Sequence, residues 1–281
     1  MKIRSAMLAL LASWIGSAQS APTVQIKEPQ RRPAAYTNVK AQQSLGRIVL
    51  TPDGKTILFE WGRPYLNWTP DVSWIAPAAA RRLETALFIV DLTADKPVAD
   101  YLVYPGGGSS YWLGDVAPDT RSVAIFELDH DTRSVRAGSW SLVEKKIRWF
   151  APRPDEGRLG GVTAWLSNVE FMYPAAKSEK SRFILASALT GYATACPQCS
   201  DQSIKDAELS VNETAERAKS KVPQQMLADL PKGAQLTAAS EDGQVAVFVR
   251  DDADVLALYY RLGAAPTQAL FENWRREKPP K

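Results

Sequence analysis

Histidine is nearly absent from this 281-residue chain, which has only His130, and cysteine is limited to Cys196 and Cys199. A zinc centre built from those residue types needs more ligands than that, so no metal or other cofactor is expected. An excess of one charge is missing too. With 34 Lys plus Arg against 31 Asp plus Glu, the formal charge of +3 leaves no electrostatic footprint for nucleic acid. No G-x-x-x-x-G-K-[ST] and no strand-to-helix G-x-G-x-x-G is present, which removes the common phosphate cradles. No G-x-S-x-G supplies a nucleophile elbow either. Asp251, Asp252 and Asp254 lack the rest of a calcium loop and read as a solvated hairpin turn. His130, between Asp129 and Asp131, reads as an exposed turn histidine, and Gly106–Ser110 (GGGSS) as a flexible crossover. No catalytic residue is expected.

Long apolar runs are also lacking. The longest, residues 6–16 after the basic Lys2 and Arg4, would rise about 16 Å as a helix, against about 30 Å of hydrocarbon. Ala18-Gln19-Ser20 follows as a signal-peptidase site, so residues 1–20 read as a cleaved secretory signal. Its removal lowers the formal charge from +3 to +1 and leaves no integral membrane segment; the product is expected in the periplasm or secreted. In that oxidising setting Cys196-Pro197-Gln198-Cys199 reads first as a local disulfide, with a redox-active pair or half a metal site as the alternatives.

What is present is ordinary globular composition, 45% apolar and 23% charged, patterned for strands. Ile48, Leu50, Ile57 and Phe59 alternate around Thr51-Pro52-Asp53-Gly54-Lys55, where Pro presets φ and Gly accepts a positive one. Val116–Ile125 repeats that hairpin position by position around Pro118-Asp119. Weaker copies are 162–171 and 237–248, the last around Glu241-Asp242-Gly243. Further strand pairs follow at 86–92 with 101–104, 135–142 with 147–150, and 255–261 with 268–271. In the third unit only 182–186 is clear, and its outer strand is missing or displaced. Four strands recurring every 50 to 75 residues or so are the mark of propeller blades, with a sandwich as the alternative.

The turns Thr51-Pro52-Asp53-Gly54 and Ala117-Pro118-Asp119-Thr120 resemble the TolB-type, WD40-like β-propeller repeat. That repeat also builds the N-terminal propeller of prolyl-oligopeptidase-type (S9) serine peptidases, including lasso peptide isopeptidases. The third copy lacks Pro-Asp, Glu241 replaces Pro in the fourth, and Thr120 stands where Gly is usual. The resemblance implies an all-β fold, a partial or small propeller of about four blades over residues 44–271. An extended segment, 21–43, precedes it and a tail, 272–281, follows. Residues 201–230, rich in Ala, Glu and Lys, read as a helical insertion whose weak apolar stripe suits a solvated helix. Four blades leave three outcomes: a small closed or open ring, a homo-oligomer, or a half-propeller needing a second chain.

The densest binding chemistry is Trp61, Arg63, Tyr65, Trp68 and Trp74 in a Pro-rich loop of the first unit. Trp, Tyr and Arg concentrate energy at interfaces, and the same rings also suit a satellite core beneath a long loop. The expected function is a non-catalytic exported domain that binds or gates peptide, or docks a hydrolase domain or second propeller half. The alternatives are a propeller fragment of an S9-type peptidase or isopeptidase whose catalytic domain lies elsewhere, and a TolB-like envelope scaffold.

Overall fold

The computed structural model describes residues 44–62, 85–103, 109–129, 132–155, 163–177, 179, 181–253 and 255–274. Among these residues sixteen strands form four antiparallel four-stranded sheets, each taking its strands in chain order. Sheet I holds β1 (Ser44–Leu50), β2 (Thr56–Gly62), β3 (Thr85–Asp91) and β4 (Ala99–Val103). Sheet II holds β5 (Ser109–Val116), β6 (Ser122–Asp129), β7 (Ser134–Ser141) and β8 (Lys146–Trp149). Sheet III is smaller: β9 (Ala164–Trp165), β10 (Glu170–Pro174), β11 (Phe183–Ser187) and β12 (Ala193–Ala195). Sheet IV holds β13 (Gln235–Ala239), β14 (Val245–Asp251), β15 (Val255–Leu262) and β16 (Gln268–Trp274). Between sheets III and IV come helices α1 (Asp201–Ser220) and α2 (Gln224–Ala228). The fold is an all-β, four-bladed partial propeller with a helical insertion. Among the described residues no helix is long and apolar enough to cross a membrane.

Two expectations are corrected. The outer strand of the third unit exists as β12, though only three small residues long. Ser109 and Ser110, placed in a crossover by their glycine neighbours, belong to β5, and Ser110 is buried. Residues 109–116 pair with β6, so the ladder continues through the serines.

Period-two alternation distributes each middle strand between two cores. In β2, Ile57, Phe59 and Trp61 face sheet IV, meeting Val247, Leu256, Leu258 and Tyr260. Leu58 faces sheet II instead and joins Leu113, Val123 and Ile125. In β6 the other parity, Ala124, Phe126 and Leu128, meets Phe171, Tyr173 and Ile184 of sheet III. The sheets thus stack in the order IV–I–II–III, and each fully buried Leu, Ile or Phe contributes about 1.5–3 kcal/mol.

The gap between sheets III and IV is bridged by the insertion. Ile204 near the start of α1 packs with Ala164, Met172, Phe183 and Cys196 of the sheet III side. Val222 and Met226 cover Ala246, Phe248, Val255 and Ala257 of sheet IV. Helix α1, about 30 Å long, therefore spans from one sheet to the other. Its middle is solvated, with Leu209 58% and Val211 48% exposed. Ser200 caps it: its hydroxyl accepts from the Ser203 amide, and the Ser203 side chain accepts from the Ser200 amide.

The repeated hairpins share one mechanism. The Thr51 hydroxyl donates to Asp53 Oδ1 (2.6 Å) and accepts from the Thr56 amide (3.0 Å). Ser240 does the same with Asp242 (2.6 Å) and Val245 (2.9 Å). The residue after each aspartate is left-handed: Gly54 at φ 70°, Thr120 at 61° and Gly243 at 73°.

Candidate functional site

In each sheet the tight turns (first to second strand, third to fourth) share one rim, and the second-to-third loops and crossovers share the other. Gly62 and Thr85, which flank the predicted aromatic loop, lie at that second rim. The base of the loop is fixed, because Gly62 pairs directly with Thr85 in the β2–β3 ladder. Trp61 is 6% exposed and sets its ring edge-on against Phe271, centroids 4.9 Å apart. It packs between sheets I and IV, so within the described structure its ring is core. Arg63, Tyr65, Trp68 and Trp74 lie outside the described residues, as do His130 and Gly106 to Gly108. At the end of β14, Asp252 accepts from Arg250 Nε (2.6 Å) and from the Val255 amide (2.8 Å), the ordinary work of a turn aspartate. Among the described residues no three His, Cys, Asp or Glu side chains form a metal-sized group.

Cys196 and Cys199 are joined, with Cα atoms 5.3 Å apart. The bridge ends immediately before the Ser200 cap of α1. Cys196 is 2% exposed and packs beside Ile204, which fixes the start of the helix on sheet III.

Two buried carboxylates escaped the sequence reading. Glu60 sits at 0% exposure in the middle of β2. Its oxygens accept from the amides of Arg47 (3.0 Å, β1) and Leu113 (2.8 Å, β5), tying sheet I to sheet II. The bulge in β1 and the missing side chain of Gly46 make room; a Cβ there would lie 2.2 Å from Glu60 Oε2. Nearby, Asp115 pairs with Arg47 and accepts from Thr163 Oγ1 (3.3 Å), while its carbonyl takes the Trp165 indole N–H (2.8 Å). This cluster joins the inner strands of sheets I, II and III. The sequence signal was a charge inside an apolar run, TILFEWG.

Glu127, in β6, accepts from the Tyr111 hydroxyl (2.8 Å) and pairs with Arg136, whose guanidinium lies 4.2 Å from the Trp149 ring centroid. Burial, then the hydrogen bond to Glu127, pushes the Tyr111 phenol up to about 12.

The turn rim carries a crevice of about 540 Å³ between sheets I and II. Asp53, Asp91, Asp100, Lys55 and Lys145 line it, with Leu102, Trp140 and Leu142 forming an apolar side. Thr93 donates twice to Asp91 Oδ1, from its hydroxyl (2.6 Å) and its amide (2.8 Å), which lowers the Asp91 pKa.

No family model matches the sequence, and no curated protein matches it. Among solved structures, it is similar to a prolyl endopeptidase at TM-score 0.36 and 10% identity, over 83% of this chain and 30% of that one. An oligogalacturonate lyase in complex with manganese gives 0.35 and 10%, over 78% of this chain and 48% of that one. A putative TolB from Agrobacterium tumefaciens gives 0.31 and 11%, over 83% and 82%. The chain thus spans less than half the length of the first two. Likeness at this level leaves the fold to be argued from the chain's own strand order, and four meander sheets stacked IV–I–II–III make it a partial propeller.

Proposed function

We propose that this chain is an exported recognition domain of propeller type that binds or gates peptide, or docks a hydrolase domain, through its long-loop rim. The observation that carries the reading is the closed base of the aromatic loop: Gly62 pairs with Thr85, and Trp61 is locked in the core beside it. The sequence between Gly62 and Thr85 carries Arg63, Tyr65, Trp68 and Trp74, residue types that concentrate energy at interfaces. The basic, short-apolar start of the chain and the Cys196–Cys199 bridge support export to an oxidising space.

The test is a titration of the full chain with a fluorescein-labelled random octapeptide pool, compared with Trp68→Ala. Affinity is expected to fall about tenfold in the variant, equivalent to about 1.4 kcal/mol, with an unchanged melting temperature. Unchanged affinity, or a variant that merely loses stability, sinks the reading.

A further inference from the structure

The crevice on the turn rim lies at the opposite end of sheet I from Gly62 and Thr85, the residues that flank the aromatic loop. Its polar groups are held in place. Asp91 and Asp100 each commit only Oδ1 to their own chain segment, Asp91 to Thr93 and Asp100 to the Tyr101 amide (2.7 Å). For both, Oδ2 receives no hydrogen bond among the described residues. Two acceptors are thus oriented by the backbone before any ligand arrives, and a ligand need not pay to order them.

The charges in the crevice are mixed. Lys55 lies 3.6 Å from Asp53, and Lys145 acts electrostatically on Asp91. Lysine offers donors only, and an ionised aspartate offers acceptors only. An anion entering the crevice meets three carboxylates and a cation meets two ammonium groups, so neither sign is strongly favoured. A hydroxyl both donates and accepts, and several on one ring satisfy both kinds of group at once. The apolar side, with the half-buried Trp140 ring beside Leu102 and Leu142, suits a ligand that also has a C–H face. The volume lies within the range of small-molecule sites.

From this geometry we propose that the crevice between sheets I and II is a binding site for a neutral saccharide, with Asp91, Asp100 and Lys145 meeting hydroxyls and Trp140 meeting the ring face. The proposal does not depend on the peptide reading, because the two share no residue.

The experiment uses the full chain labelled with ¹⁵N and follows the indole N–H resonances, with Trp140→Phe identifying the Trp140 cross-peak. Cellobiose, maltose and chitobiose are the probes; acetyl-Leu-Arg amide and acetyl-Leu-Glu amide are the charged comparators. At least one disaccharide is expected to move the Trp140 peak saturably and without loss at raised salt. Asp100→Asn, which preserves shape, is expected to weaken that binding about tenfold. A Trp140 peak indifferent to all three sugars overturns the proposal. So does a peak that moves only with a charged peptide amide, or full affinity in a folded Asp100→Asn protein. If the octapeptide pool binds while the sugars do not, the long-loop reading stands and the crevice proposal alone fails.

Discussion

The seam between sheets IV and I and the gap between sheets III and IV solve the same packing problem in opposite ways. At the first, two full-length sheets meet directly: Phe59 (centroids 5.9 Å) and Trp61 (4.9 Å) of sheet I both meet Phe271 of sheet IV. Even the turns touch, with the Glu241 amide donating to the Pro52 carbonyl at 2.9 Å. At the second, a bridging helix is buried at Ile204 and Ala218 and exposed over residues 209–217. Sheet III explains the difference. Its two-residue β9 and three-residue β12 make a face too small to match a full blade. A helix fixed at its ends covers what remains.

Breaking the direct seam has the largest expected effect. Phe59→Ala empties a fully buried aromatic position between two sheets and is expected to cost about 3–5 kcal/mol, read as a shift in the urea midpoint of the whole chain. The bridged side answers locally. Replacing Cys196 and Cys199 together with Ser removes the constraint on a very short loop and is expected to cost about 2 kcal/mol. That loss is read as faster hydrogen exchange in residues 201–220, with sheets I and IV unaffected; equal exchange in all four sheets would contradict the contrast. Smaller again is Thr120→Gly. Thr120 holds a φ of 61° that Gly54 and Gly243 reach freely, so the change is expected to stabilise by about 1 kcal/mol in thermal unfolding. The last effect is read only at alkaline pH. The folded phenol of Tyr111 is pushed up to about 12 from an unfolded value of 10, so its contribution is complete below pH 10 and is lost as pH rises towards 12. Tyr111→Phe is expected to remove that component of alkaline destabilisation, followed as melting temperature against pH.

The hairpins were legible because their chemistry is local. Pro52, Asp53 and Gly54 specify a turn using atoms a few residues apart, and the second and fourth copies keep the aspartate and the left-handed residue. Strand β12 escaped because Ala193, Thr194 and Ala195 carry no alternation of large side chains, and its register comes from β11. Of the candidate binding residues, Trp61 shows the limit most plainly. An aromatic at the mouth of a Pro-rich loop is a reasonable contact residue until Phe271, from the other end of the chain, covers it. Glu60 and Asp115 were missed for a related reason, since the amides that satisfy Glu60 belong to two different sheets.

By itself the sequence determined the strand-and-turn grammar and the place of the helical insertion, and it put a local disulfide first for its two cysteines. All of these depend on neighbours within a few residues. Only the tertiary structure decided that sheet IV returns to sheet I, that α1 spans the remaining gap, and that fixed carboxylates line a crevice between sheets I and II. Those outcomes depend on which faces, far apart in the chain, are large enough and apolar enough to exclude water from each other.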